Sequence, residues 1–193
     1  MRLAALAIAA SIATNGPSLL GQSPTLVDED AYAVYASSVR VAAGDVPVVA
    51  LLAHTRADQH CDSAIPPGWE DVAAAHRQAN LEQRAVLDGF DLGRPYRLVS
   101  PADLEAAETA SLDYVNRHLG DRVPPAPWPF AAFPARKVFI VSAVGFSTDR
   151  TRAMFMLQQS GGFDDHRGVQ VLRVKVAGQW IDPPGISRCM WLT

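Results

Sequence analysis

Five prolines fall within the twelve residues 123–134. Proline lacks a backbone donor and clashes with the preceding helical turn, so neither a helix nor a central strand runs through such a segment. It divides the 193-residue chain into two parts that read differently. Before it, helical spacing prevails. Asp28, Glu29 and Asp30 are acids placed where a helix dipole favours them, and Ala31, Val34, Tyr35, Ser38 and Val39 follow at helical intervals. A second helix is expected over 69–87, with Val72, Ala75, Ala79 and Val86 among its apolar positions. A third is expected to start at Ser100 as N-cap with Pro101 in the first helical position, and to stop at Gly120. Between them, residues 46–53 read as a buried strand and residues 96–99 as a short one.

After the prolines the segments are short, apolar and β-branched. Strands are expected over 137–144, 153–158 and 169–176, with a turn at 147–150 and a polar loop over 161–168. Ala177-Gly178 offers a tight reversal into Gln179-Trp180-Ile181, and a last strand lies near 190–192. Short connections imply antiparallel pairing, because parallel pairing needs a long crossover. The fold expected is therefore α+β: an antiparallel meander from the C-terminal half, covered by about three helices from the N-terminal half.

The first residues carry a different signal. Met1-Arg2 is a short positive start, and residues 3–13 are an unbroken run of Leu, Ala, Ile and one Ser. Eleven residues suit the apolar core of a signal peptide and fall short of the roughly 20 needed to span a membrane. Cleavage is expected at 21–23, which leaves residues 1–23 as a signal peptide and residues 24–193 as a single α+β domain, periplasmic or extracellular; a cytosolic protein with an Ala-rich first helix is the alternative. No later segment is apolar enough for a membrane span. In an oxidising compartment the two cysteines, Cys61 and Cys189, are candidates for a disulfide; two separate buried thiols are the alternative.

Charge narrows the partners. With 17 basic and 20 acidic residues the formal charge is −3. No basic excess exists to neutralise a phosphate backbone, so no nucleic-acid partner is expected. The apolar fraction, 49%, is that of an ordinary globular chain and argues against disorder.

Residues 139–146, FIVSAVGF, followed by Ala153, resemble a signature of a widespread group of uncharacterised exported bacterial proteins. In that group an S-x-V-G-F strand precedes an apolar strand, a glycine-containing loop, a strand ending in G-x-W and a terminal W-[LV]-[ST]. Ser142 to Phe146, Gly178-Gln179-Trp180 and Trp191-Leu192-Thr193 stand here in that order. Tyr32-Ala33-Val34-Tyr35, an apolar strand ending in Thr55 and a helix containing Asn80 are similar as well. The chain departs from the pattern in two places. The loop 160–168 lacks the two Cys-Gly pairs of many relatives, and His76 stands where many have an aromatic residue. The resemblance implies export and a single domain. It carries no activity.

Catalytic signatures are missing. The chain has no G-x-S-x-G, phosphate loop, dinucleotide fingerprint or His-Glu-x-x-His, and no motif that names a cofactor. His54, His60, Cys61 and Asp62 are competent zinc ligand types, yet a six-residue histidine spacing matches no usual zinc motif, so no metal is expected. Asp164, Asp165 and His166, bracketed by Gly161, Gly162 and Gly168, are the candidate binding residues: carboxylates beside an imidazole can hold a cation or exchange a proton. A solvated strand connection prefers the same residue types. The tract around Trp128 could present a polyproline II strand to a partner, or pack its aromatics back on the domain. Arg150, Arg152, Arg167, Arg173 and Lys175 read as a wet sheet face. The sequence thus favours an exported domain with a binding or envelope-associated role. Its rival is a small hydrolase or metal-dependent enzyme using His54 or His166 with Asp164 or Asp165 from separate segments.

Overall fold

A computed structural model describes residues 25–57, 61, 65–118, 137–161 and 166–192. Among these residues three helices and eight strands follow in the order α1 (Glu29–Ala43), β1 (Val49–Leu52), α2 (Glu70–Ala79), β2 (Tyr96–Val99), α3 (Pro101–Arg117), β3 (Val138–Val141), β4 (Gly145–Phe146), β5 (Arg152–Ser160), β6 (His166–Val176), β7 (Gln179–Ile181) and β8 (Met190–Leu192). The fold is α+β, as the sequence pattern implies.

Local chemistry fixes two of the helix starts. Asp28 caps α1 by accepting the Asp30 N–H, and the first turn adds Glu29 and Asp30. Ser100 caps α3 by accepting the Asp103 N–H at 3.1 Å, with Pro101 opening the helix. Helix α2 is shorter than its periodicity suggests: it ends at Ala79, not near residue 87. Tertiary pairing wins over helix propensity there. The carbonyls of Arg84 and Ala85 accept from Thr55 and Val27, and the N–H groups of Ala85 and Val86 reach Thr25 and Ala53.

All eight strands form one sheet, in the order β2-β1-β3-β5-β6-β7, with β4 beside β5 and β8 beside β6. The C-terminal strands pair antiparallel, but β1 lies parallel to both β2 and β3. The meander is thus extended into a mixed sheet, and α2 and α3 lie within the long connections that parallel pairing requires. The tight reversal at Ala177-Gly178 is present, with φ of 48° and 81°, as the favoured two-residue hairpin turn demands.

Core packing follows the pleat. Val49 and Leu51, with Phe139, Val141, Phe155 and Val171, share a buried cluster with Ala31, Val34, Tyr35 and Val39 of α1. The alternating residues Ala50, Leu52, Val138 and Ile140 pack with Leu104 and Ala107 of α3. Met154 and Leu172 pack with Val72 and Ala73 of α2 and with Trp69. Helix α1 therefore serves one face and α2 and α3 the other. Strand β6 is buried on both faces at its middle, from Gln170 to Arg173, which is why its apolar and polar residues do not alternate strictly.

Candidate functional site

The disulfide is present. Cys61 and Cys189 are bonded, with Cα atoms 5.8 Å apart and a sequence separation of 128. Cys61 is therefore no thiolate, and the zinc reading of His54, His60, Cys61 and Asp62 loses its sulfur ligand; His60 and Asp62 lie outside the described residues. Among the described residues no three His, Cys, Asp or Glu side chains gather as metal ligands. No described helix is long and apolar enough to cross a membrane.

Of the three candidate binding residues, Asp164 and Asp165 lie outside the described residues, as does the tract around Trp128. His166 is not in a loop. It opens β6, opposite Ser160, and Gly168 is likewise a strand residue, opposite Gln158 and Trp191. The polar connection is shorter than expected because the β5–β6 ladder continues through nine pairs. Register also separates the two histidines of the hydrolytic reading. Ala50, Val138, Ser160 and His166 stand abreast across four neighbouring strands, whereas His54 lies four residues further along. At about 3.3 Å per residue and about 4.8 Å per strand, the two histidines are roughly 20 Å apart. They do not share one site.

A pair that sequence spacing did not single out is Ser142 and His76. His76 Nε2 lies 2.9 Å from Ser142 Oγ, the pairing a nucleophile and its base would show. Both are buried, at 1% and 3% exposure, and Ser142 Oγ also accepts the Met156 N–H at 2.8 Å. No substrate carbonyl reaches an oxygen so enclosed. The surrounding bonds show what the pair does. Asn80 at the end of α2 donates to the Ala143 carbonyl and accepts the Ala143 N–H, and Tyr35 donates to the Ser142 carbonyl. A Cβ on Gly145 would sit 2.2 Å from the His76 backbone nitrogen. These residues lock α2 onto the break between β3 and β4. Burial pushes His76 down to about 4, helped by the Arg77 charge, and its Nδ1 has no hydrogen-bond partner among the described residues. Burial likewise raises the Tyr35 hydroxyl well above its ordinary value.

The best candidate site lies on the other face, between α1 and the β6–β7 hairpin. Val169, Val171, Arg173 and Lys175 share one face of β6, and Val171 and α1 belong to the same core cluster. Arg173 therefore points inward, contrary to the expectation of a wet face, and is 5% exposed. Its Nε and Nη2 donate to Ser38 Oγ of α1, at 3.1 and 2.8 Å. Its Nη1 pairs with Asp182, just after β7, and Arg188 pairs with the same carboxylate oxygen. Burial, then the charge of Arg188, lowers Arg173 to about 10, so it stays cationic at neutral pH. Lys175 instead lies over the Trp180 ring at 5.5 Å.

Ser38, Arg173, Trp180, Asp182 and Arg188 border a recess of about 310 Å³. A larger one, about 720 Å³, shares Ser37 and Trp180 with it and is edged by Glu29, Asp88 and Asp91. Sequence reasoning placed Arg173 on a strand but could not tell which face it used, since the central strand residues are buried on both.

No protein-family model matches the chain, and neither a curated protein nor a solved structure matches it.

Proposed function

We propose that the chain is an exported domain that binds a small molecule in the recess between α1 and the β6–β7 hairpin, in a periplasmic or extracellular role. The observation that carries the binding reading is Arg173. A buried guanidinium is costly unless it is paired and hydrogen-bonded; Ser38 and Asp182 hold this one, but a second guanidinium shares that carboxylate, and the set lines an open recess. Export is supported by the apolar run at 3–13, by the likeness to exported bacterial proteins and by the disulfide, a bond that persists in oxidising compartments. A catalytic role has less support: the one Ser–His pair among the described residues is buried away from any substrate.

Two measurements test the proposal. Protein recovered outside the cytoplasm of an exporting host should begin between Gln22 and Pro24; an intact Met1 there counts against export. A thermal-shift screen of the oxidised protein against small organic acids, bases and neutral compounds should give saturable stabilisation by at least one class. That stabilisation should vanish in Ala42→Trp, which places a large ring at the rim of the recess. A screen without any shift removes the binding reading.

A further inference from the structure

We infer that the recess takes a small amphipathic monocarboxylate: one carboxylate at the Arg173–Arg188 end and a short apolar body along the valine-lined wall. This rests on the binding reading and names its ligand class.

Charge is the first argument. The polar end holds two guanidiniums and one carboxylate, Asp182, which leaves one uncompensated positive charge. Arg173 is almost fully buried, so that charge is poorly screened by water. A monoanion brings the set to neutrality, whereas a dianion would overshoot it beside Asp182. Geometry is the second argument. Guanidinium is a planar fork that matches a carboxylate in a two-point contact. Arg173 spends its Nε and part of its Nη2 on Ser38 and part of its Nη1 on Asp182; each terminal nitrogen keeps a second N–H. Among the described residues Arg188 pairs with Asp182 alone, and it is partly exposed, so its guanidinium can meet an incoming group without unfolding a bond network. The remaining wall is the third argument. Val41, Ala42, Val169 and Ile181 supply apolar surface together with the Trp180 ring, over a floor of buried Leu157 and Val171, and Ser37 adds one hydroxyl. A recess of about 310 Å³ lies at the small end of the roughly 300–1,000 Å³ range of small-molecule sites. A chain of several carbons is buried by such a wall, and neither a bare inorganic anion nor a polar sugar is.

Isothermal titration of the full oxidised chain with octanoate, octan-1-ol and acetate separates the contributions. Octanoate should bind at one equivalent. Octanol, with the same apolar body and no charge, and acetate, with the charge alone, should each bind about tenfold more weakly or worse. Arg188→Ala should weaken octanoate about tenfold and leave octanol unchanged. Circular dichroism and the melting temperature check that this variant is folded. Octanol matching octanoate, or Arg188→Ala binding octanoate as the parent does, overturns the carboxylate assignment; if Ala42→Trp still abolishes that binding, the recess remains a site for a neutral ligand. If none of the three probes binds but another compound in the screen does so in an Ala42-dependent way, the ligand class is wrong and the binding reading survives. If nothing binds at all, both fall.

Discussion

Replacing His76 with phenylalanine should remove a specific part of the protein's acid sensitivity. His76 is 3% exposed, lies within hydrogen-bond distance of Ser142 on one nitrogen, and has no partner among the described residues on the other. Burial first, and then the neighbouring Arg77 charge, lowers it from 6.5 to about 4. Because the folded value is the lower one, the unfolded chain takes up the proton first as pH falls. The native state keeps the full contribution of neutral His76 above about pH 6.5. It loses that contribution progressively as pH falls from there towards 4, and the loss levels off below 4. At about 1.4 kcal/mol per pH unit the interval amounts to about 3 kcal/mol. Carboxylates also titrate at the acid end, so the comparison with a variant isolates the histidine. Phenylalanine keeps a flat ring of similar size and cannot take a proton. It forfeits one hydrogen bond, about 1 kcal/mol at pH 7, while Ser142 keeps the Met156 N–H. Urea unfolding of both oxidised proteins at steps from pH 7.5 to 4 reads the difference. The parent should lose about 3 kcal/mol more than His76→Phe across the window, so the two curves should converge and cross. Curves that stay parallel from pH 6.5 to 4 would show that His76 does not resist protonation in the fold, and the account of its burial would be wrong.

Three further outcomes follow from the same contacts. Asn80→Ala removes bonds to the Ala143 N–H and carbonyl and to the His76 carbonyl, leaving buried backbone groups of the β3–β4 break unpaired. It should cost about 2–3 kcal/mol by urea unfolding, against less than about 0.5 kcal/mol for an exposed site such as Glu105→Ala. Gly145→Ala drives a methyl into the α2 backbone, which cannot swing aside as a side-chain end can; destabilisation of about 3 kcal/mol or more is expected, read as a fall in melting temperature or in yield of folded protein. Removing the Cys61–Cys189 bond by Cys189→Ser frees a 128-residue loop. Chain-entropy arithmetic sets the loss at about 5 kcal/mol at most; an unchanged urea midpoint would mean that the bond does not constrain the unfolded chain.

Features that depend on neighbours in the chain can be read from the residues alone. Asp28 and Ser100 mark helix starts because a cap needs only the next two or three residues. Ala177-Gly178 marks a hairpin because the turn needs positive φ at both central positions. The α+β class was legible from where helical spacing gives way to β-branched runs, and the two cysteines stood as candidates for a pair without their distance being known. What depends on distant segments was decided only by the tertiary structure. The end of α2 at Ala79 reflects backbone bonds from residues 84–86 to strands and loops elsewhere, which outweigh helical periodicity. The parallel pairs of β1 were hidden because pairing partners leave no trace in a strand's own residues. His166 reads as loop in sequence and lies in a ladder in space, since Gly, Asp and His signal a turn without fixing its length. Ser142 and His76 meet across 66 positions, and Arg173 and Ser38 across 135. Arg173 shows the reason most plainly. Alternation places it on one side of β6, but both sides are covered there. Whether its charge meets water, Ser38 of α1 or a ligand is a property of the packed layers rather than of the strand.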